Sequence, residues 1–250
     1  KAIELERTQD RPLVLAELLG KLARLQRKSY SVAEAQAPAR ESLQLYEANA
    51  PAGSPGLVQA SITLGAVVSQ VNGKAEEGEA LLLTAVTRAE ALDPTGLPLV
   101  TALAELATHL TRVGRLPEAE QQLRRALELA GAHADGALDA LGIKEQLGAV
   151  LGKLRRFAEA EALLRDALAQ RRALHGDDDI NIPWRLSELA TVLTNAGKPL
   201  KALPLYHEAL QVAAPKMGES RLWNVTRIQE TAVSSHSRMN MIPPWGFRQD

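Results

Sequence analysis

The chain has 250 residues, 46% hydrophobic but only 3% aromatic; Ala and Leu dominate instead, and both favour helix. Lysine and arginine number 29 against 30 aspartates and glutamates, a balance that argues against a nucleic-acid partner, which needs a basic surface. There is no cysteine, so disulfides, thiolate metal sites and a cysteine nucleophile are excluded together.

The opening "KAIELERTQD" is charged and helical, with no signal peptide. Residues 1–11 read as the end of a preceding repeat helix, which implies missing upstream sequence. No apolar run reaches the roughly 20 residues of a membrane span, and a cytoplasmic chain is expected.

From residue 12 onward one pattern recurs. A first helix carries large and small residues at helical spacing: Leu19, Leu22, Ala23; Leu64, Gly65, Val68; Leu103, Leu106, Ala107; Ile143, Leu147, Gly148; Leu186, Leu189, Ala190. A turn follows, marked by Asn72-Gly73, Gly114 or Asn195-Ala196-Gly197. A second helix then begins on a small residue: Ala35, Gly78, Ala119, Ala160 and Ala202, separated by 43, 41, 41 and 42 residues. In the last three copies a large residue comes four positions later and a small one three after that: Leu123 and Ala126, Leu164 and Ala167, Tyr206 and Ala209. Spacings of four and three place these residues on one stripe of a helix. A single hairpin cannot bury such a stripe, so neighbouring copies must bury it for each other. The expected fold is all-α, a right-handed α-α superhelical solenoid of about five helical hairpins over residues 12–220.

After Gly218, Leu222, Val225, Ile228 and Val233 predict one more amphipathic helix, residues 221–239, as a cap. Residues 240–250 form a tail broken by Pro243-Pro244. Its Trp245 and Phe247 are expected to dock on this chain or on a neighbouring molecule.

The Leu-small, turn, Ala-Leu-Ala grammar resembles the tetratricopeptide repeat. The period exceeds the family's usual value of about 34 residues, so longer second helices or linkers are expected. "LRDALAQRRALHGDDDINIPWRLSELATVL", residues 164–193, is similar to kinesin light chains, in which a long second helix ends in a turn containing Gly and Asp. Where kinesin light chains carry paired Asn on the first helices, this chain has Thr, Ser, Ala or Glu. The resemblance implies a non-catalytic scaffold or adaptor whose first helices line a concave face. It also implies a protein partner, with a tubulin-like cytoskeletal protein as one candidate, since bacterial kinesin light chain-like proteins associate with tubulin-like filaments. The competing reading is a sensor or regulatory arm of a larger bacterial signalling protein.

On the carried-over layout, the face-lining residues are Arg24, Arg27 and Lys28 in the first copy and Gln59, Ser69 and Gln70 in the second. Thr101, Thr108, Thr111 and Arg112 follow, then Glu145 and Lys153, then Trp184, Ser187, Thr191, Thr194 and Asn195. The face reads as basic at one end and hydroxyl-rich with one Trp at the other, which suits an acidic peptide. No catalytic residue, metal site or cofactor is expected. The histidines, His109, His133, His175, His207 and His236, lack metal-ligand spacing. "HGDDDIN" lacks the ligand spacing of a calcium loop and reads as an exposed turn whose aspartates cap the next helix. "GKLRR" and "GKPLK" lack the frame of a phosphate loop, and no Gly-x-Ser-x-Gly stretch houses a nucleophile. Asn224-Val225-Thr226 fits a glycosylation acceptor but lies in a predicted helix.

Overall fold

A computed structural model describes residues 11–29, 31–133, 136–177 and 179–213, with Ile3 before them. The predicted cap and tail lie outside these residues, as does most of the opening segment. Among the described residues the structure is helical: α1 (Pro12–Lys28), α2 (Val32–Asn49), α3 (Pro55–Val68), α4 (Ala75–Leu92), α5 (Leu97–Arg112), α6 (Leu116–Gly131), α7 (Ala137–Lys153), α8 (Phe157–His175), α9 (Ile182–Asn195) and α10 (Pro199–Ala213). They pair as five consecutive hairpins, each with an odd-numbered first helix and an even-numbered second one. The chain divides into two compact units, Lys1–Ile143 and Lys144–Asp250, the division falling within α7.

Local chemistry fixes the helix starts. Proline stands in the first turn of α1, α3, α5, α6 and α9, where its missing N–H costs nothing. Ser54 caps α3 by accepting the N–H of Leu57 at 3.2 Å. The starts of α4, α6 and α8 use a different device: a basic residue in the cap position and a glutamate three residues on, as in Lys74–Glu77, Arg115–Glu118 and Arg156–Glu159. The glutamate favours the positive helix N-terminus, and the basic residue pairs with it.

The predicted stripes form the core. Ala119, Leu123, Ala126, Ala160, Leu164, Ala167, Ala202, Tyr206 and Ala209 are all at most 2% exposed. On the first helices, Leu19, Ala23, Leu64, Leu103, Leu106, Ala107, Ile143, Leu147, Leu186, Leu189 and Ala190 are buried as well, while Leu22 is half-buried. In the first unit Ala23, Ala35, Ala39 and Leu43 of one hairpin join Leu57, Ala60, Leu64, Val67 and Val68 of the next in a continuous cluster. Small residues are required at the contacts. A Cβ on Gly65 would lie 3.0 Å from Leu82 Cδ2, and one on Gly148 would lie 2.7 Å from Leu164 Cδ2. At Gly78 it would run into the backbone of Ser69.

The second unit also contains an internal charge cluster, which corrects two sequence expectations. Glu145 is 2% exposed and does not face solvent. It accepts hydrogen bonds from Arg171 Nε and Nη2 at 2.7 and 3.0 Å, and Arg185 Nε lies 3.0 Å from its other side. Arg171 also donates to Asp179 at 2.8 Å. Asp179 in turn accepts the backbone and side-chain N–H of Asn181, each at 2.8 Å. The Asp-rich turn is therefore clamped from inside by Asp179 and is not simply an exposed cap. Burial alone would raise the Asp179 carboxyl, but hydrogen bonds from the Asn181 backbone and then from Arg171 hold it below the usual range. Nearby Glu188 shifts the other way, because burial outweighs its bond from Arg185.

Three substitutions test this packing. Gly78→Ala should lower stability by about 1–3 kcal/mol through overpacking, more than the roughly 1 kcal/mol of helix propensity that it gains. Gly142→Ala, with open space around its Cβ, should instead raise stability by about 0.5–1 kcal/mol; urea midpoints of the two variants check the opposite signs. Glu145→Ala strands two arginines and should cost about 3–5 kcal/mol, read as a lower urea midpoint.

Candidate functional site

The first helices expose the side opposite their buried stripes. In the first unit α1 neighbours α3 and α3 neighbours α5, so these three helices present one face. Two steps of about 8–10 Å separate the axes of α1 and α5. Yet Arg27 of α1 donates to both carboxylate oxygens of Glu105 on α5, at 2.7 and 3.1 Å. The pair bridges the first and third of these helices across α3.

At the start of that face lies a cleft of about 340 Å³, lined by Glu17, Lys21 and Arg24 of α1, Ser42 and Tyr46 of α2, Gln59 of α3 and Pro98 of α5, among others. Arg24 and Gln59 both line this cleft. Arg24 Nη1 reaches Thr63 Oγ1 at 3.5 Å, and Lys21 pairs with Glu17 at 2.6 Å. Gly56 leaves room for the Tyr46 ring, which any Cβ there would strike. Burial, and then the Glu17 charge, push the Tyr46 hydroxyl above its ordinary pKa, so it stays a neutral donor.

The other predicted residues of this face divide by their local bonding. Lys28 and Gln59 are exposed, and Gln70 is half-buried. Thr108 is exposed, with its hydroxyl donating to the Ala104 carbonyl. Arg27 is neutralised by Glu105. Arg112 is committed to structure: its Nη2 donates to the Ser69 carbonyl and lies 3.0 Å from His109 Nδ1. His109 is 1% exposed, and its Nε2 lies 3.5 Å from Glu79. Burial and the Arg112 charge hold its pKa below the usual histidine value, which leaves the ring neutral and Nδ1 free to accept. Ser69 is buried, with its hydroxyl donating to Ala66. The signal for Arg112's role is its place one residue before the α5–α6 turn, a position that a single sequence does not distinguish from a solvent-facing one.

In the second unit Trp184, Ser187, Thr191 and Asn195 fall on one stripe of α9. Trp184 is 43% exposed, Asn195 is exposed and Ser187 half-buried. Thr191 donates to the Ser187 carbonyl and sits 3.1 Å from the Tyr206 hydroxyl. Lys153 is exposed at the end of α7, whereas Glu145 lies inside. The structure thus brings Lys153 and Asn195 to one cleft and withdraws Glu145 from the surface. Among the described residues no acidic, histidine or cysteine cluster is grouped to hold a metal, and no helix is long and apolar enough to cross a membrane.

The sequence pattern of the tetratricopeptide repeat matches residues 57–132 and 139–214. No curated protein matches the chain in sequence. Among solved structures, the fold is similar to kinesin light chain TPR-like repeats from Podosopora anserina, at 19% identity and a TM-score of 0.64 over 83% of this chain and 99% of that one. It is also similar to BtubC of P. vanneervenii, a bacterial kinesin light chain, at 20% identity and 0.62 over 90% and 96%. A third similar structure is YrrB, a TPR protein with an unusual peptide-binding site, at 15% identity and 0.51 over 92% and 98%. With the repeat pattern spanning more than half of its residues, and helices paired as that pattern requires, the chain belongs to the tetratricopeptide repeat family.

Proposed function

We propose that this chain is a non-catalytic adaptor that holds a partner protein against the exposed side of its first helices. The observation that carries this reading is the cleft of the first unit on which Arg24, Lys21, Tyr46 and Gln59 converge. Lys28, exposed one turn beyond Arg24, extends the positive end of that face. Tyr and Arg at a concave surface are the residue types that anchor protein interfaces, and the cations set the orientation of an acidic segment. In the second unit the exposed Trp184 offers a separate anchor beside hydroxyl groups.

The likeness to kinesin light chain structures supports a tubulin-like filament as the partner to test first. The family's usual role as a protein-binding scaffold supports the absence of catalysis. The wild-type chain should co-sediment with polymerised tubulin-like protein and not with its monomer. The Arg24→Glu, Lys28→Glu double variant should stay in the supernatant with its melting temperature unchanged. Equal pelleting of both chains removes the basic face from the reading, and pelleting of neither removes the filament partner. Arg112→Glu, by contrast, should lower the melting temperature by at least about 2 °C, since it frees the Ser69 carbonyl and places a carboxylate beside His109.

A further inference from the structure

The turn between the paired helices contains a position with left-handed backbone in four hairpins: Gly73 at φ 76°, Gly114 at 85°, Arg155 at 63° and Gly197 at 75°. Three of them close the same helix end. The N–H of the residue itself bonds the carbonyl three back, and the next N–H bonds the carbonyl five back. Gly114 and Arg115 reach Thr111 and Leu110; Arg155 and Arg156 reach Gly152 and Leu151; Gly197 and Lys198 reach Thr194 and Leu193. Glycine adopts this backbone freely, but a side chain there crowds the following carbonyl. Among these turns the fourth hairpin alone carries a side chain at that point. Strain of this kind persists where the side chain has a task that glycine cannot perform.

The surroundings of Arg155 indicate the task. Its guanidinium lies 5.8 Å from the centre of the Phe157 ring, and with Lys153, Asn195 and Gly152 these residues line a cleft of about 320 Å³. A Cβ on Gly152 would lie 2.9 Å from Val192 Cγ2, so this glycine lets the ends of α7 and α9 close around the cleft. The basic residues one position further along, Lys74, Arg115, Arg156 and Lys198, each pair with a glutamate. Among the described residues Arg155 pairs with no carboxylate and contacts the Phe157 ring instead. Contact with a ring uses the cation's charge but not its N–H donors, which remain available for planar bidentate bonding. Two helix C-termini contribute roughly half a negative charge each. Against the two cations they leave about one positive charge, which suits a single carboxylate better than a dianionic phosphate.

We propose that Arg155, Lys153 and Asn195 form a subsite that receives an Asp or Glu side chain from a partner protein, and that the left-handed backbone at Arg155 is retained for this contact. The proposal rests on the protein-binding reading above and gives the second unit its own recognition element.

An NMR titration of isotope-labelled chain with a tetraglutamate peptide, blocked at both ends, tests it. Saturable shifts are expected at the Arg155 guanidinium N–H and the Asn195 side-chain amide. Arg155→Gly should raise the melting temperature by about 2–4 °C, because strain is relieved, and weaken the peptide by about tenfold. Lys153→Gln should weaken it severalfold with the melting temperature unchanged. Unchanged affinity in Arg155→Gly, or absence of saturable shifts, overturns the proposal; tighter binding of inorganic phosphate than of the peptide does the same. The double variant at Arg24 and Lys28 leaves this cleft intact, which separates the two ideas in the filament assay. Retention of the filament by Arg155→Gly and its loss by the double variant rejects the subsite alone. Loss by Arg155→Gly and retention by the double variant supports the subsite and rejects the first unit's face.

Discussion

The close approach of the two helices of each hairpin, made possible by a small residue on the first helix, is the contact on which the rest of the structure depends. The small column runs Ala23, Gly65, Ala107, Gly148 and Ala190, spaced by 41 or 42 residues. A Cβ would lie only 3.0 Å from Leu82 at Gly65 and 2.7 Å from Leu164 at Gly148, so in these two copies the leucine would have to shift. Leu123 and Tyr206 occupy the same register in the third and fifth hairpins and are fully buried. Because dispersion and burial both need atoms in contact, a hairpin with a large residue in the small column could not close. The column also fixes rotation. It turns one side of every first helix inward and leaves the opposite side of each facing outward.

That regularity made the fold legible in the sequence. The small-residue columns, the turn glycines and the period located all five hairpins, whereas Arg24 and Gln59 were assigned to one face by the layout that the family resemblance implies. The division into two compact units was not legible, since the period runs through Ile143 and Lys144 without a break. Nor was the fate of individual charges. Glu145 occupies a place that the helix pattern assigns to solvent, and it is buried because Arg171 of α8 and Arg185 of α9 converge on it. Arg112 likewise looks like a surface cation until the Ser69 carbonyl, 43 residues earlier, is seen to accept from it. Helical spacing reports which side of a helix a residue occupies. It does not report which distant side chain covers that side.

The near-zero net charge conceals a local arrangement with consequences for binding. Most of the described arginines are answered by a carboxylate on the same helix or on a neighbouring hairpin, as with Arg40 and Glu77 or Arg88 and Glu47. Such exposed pairs contribute little stability, about 0–1 kcal/mol each, but they cancel the field that a partner would feel. Arg27, matched by Glu105, is removed from the basic face in the same way. Two cations beside the clefts keep uncharged described partners, Arg24 against a threonine hydroxyl and Arg155 against a phenyl ring, whereas Arg112, also among uncharged groups, is tied into the structure. The sequence count of 29 against 30 is thus compatible with two small positive sites.

A repeat protein is well suited to carry such exceptions. Its stability is approximately a sum over hairpins and their nearest neighbours, so strain at one turn is offset by contacts that are identical in kind elsewhere. The period therefore acts as an internal control: at each position the other copies state what packing alone prefers. For the left-handed turn they state glycine three times, and the copy that departs is the one with an open cleft beside its side chain. At Gly78 the departure runs the other way, since the later copies hold alanine and this one gives up a methyl group because the Ser69 backbone lies too close. Both deviations are visible in sequence as breaks in a column. Only the surrounding contacts assign one of them to packing and the other to recognition.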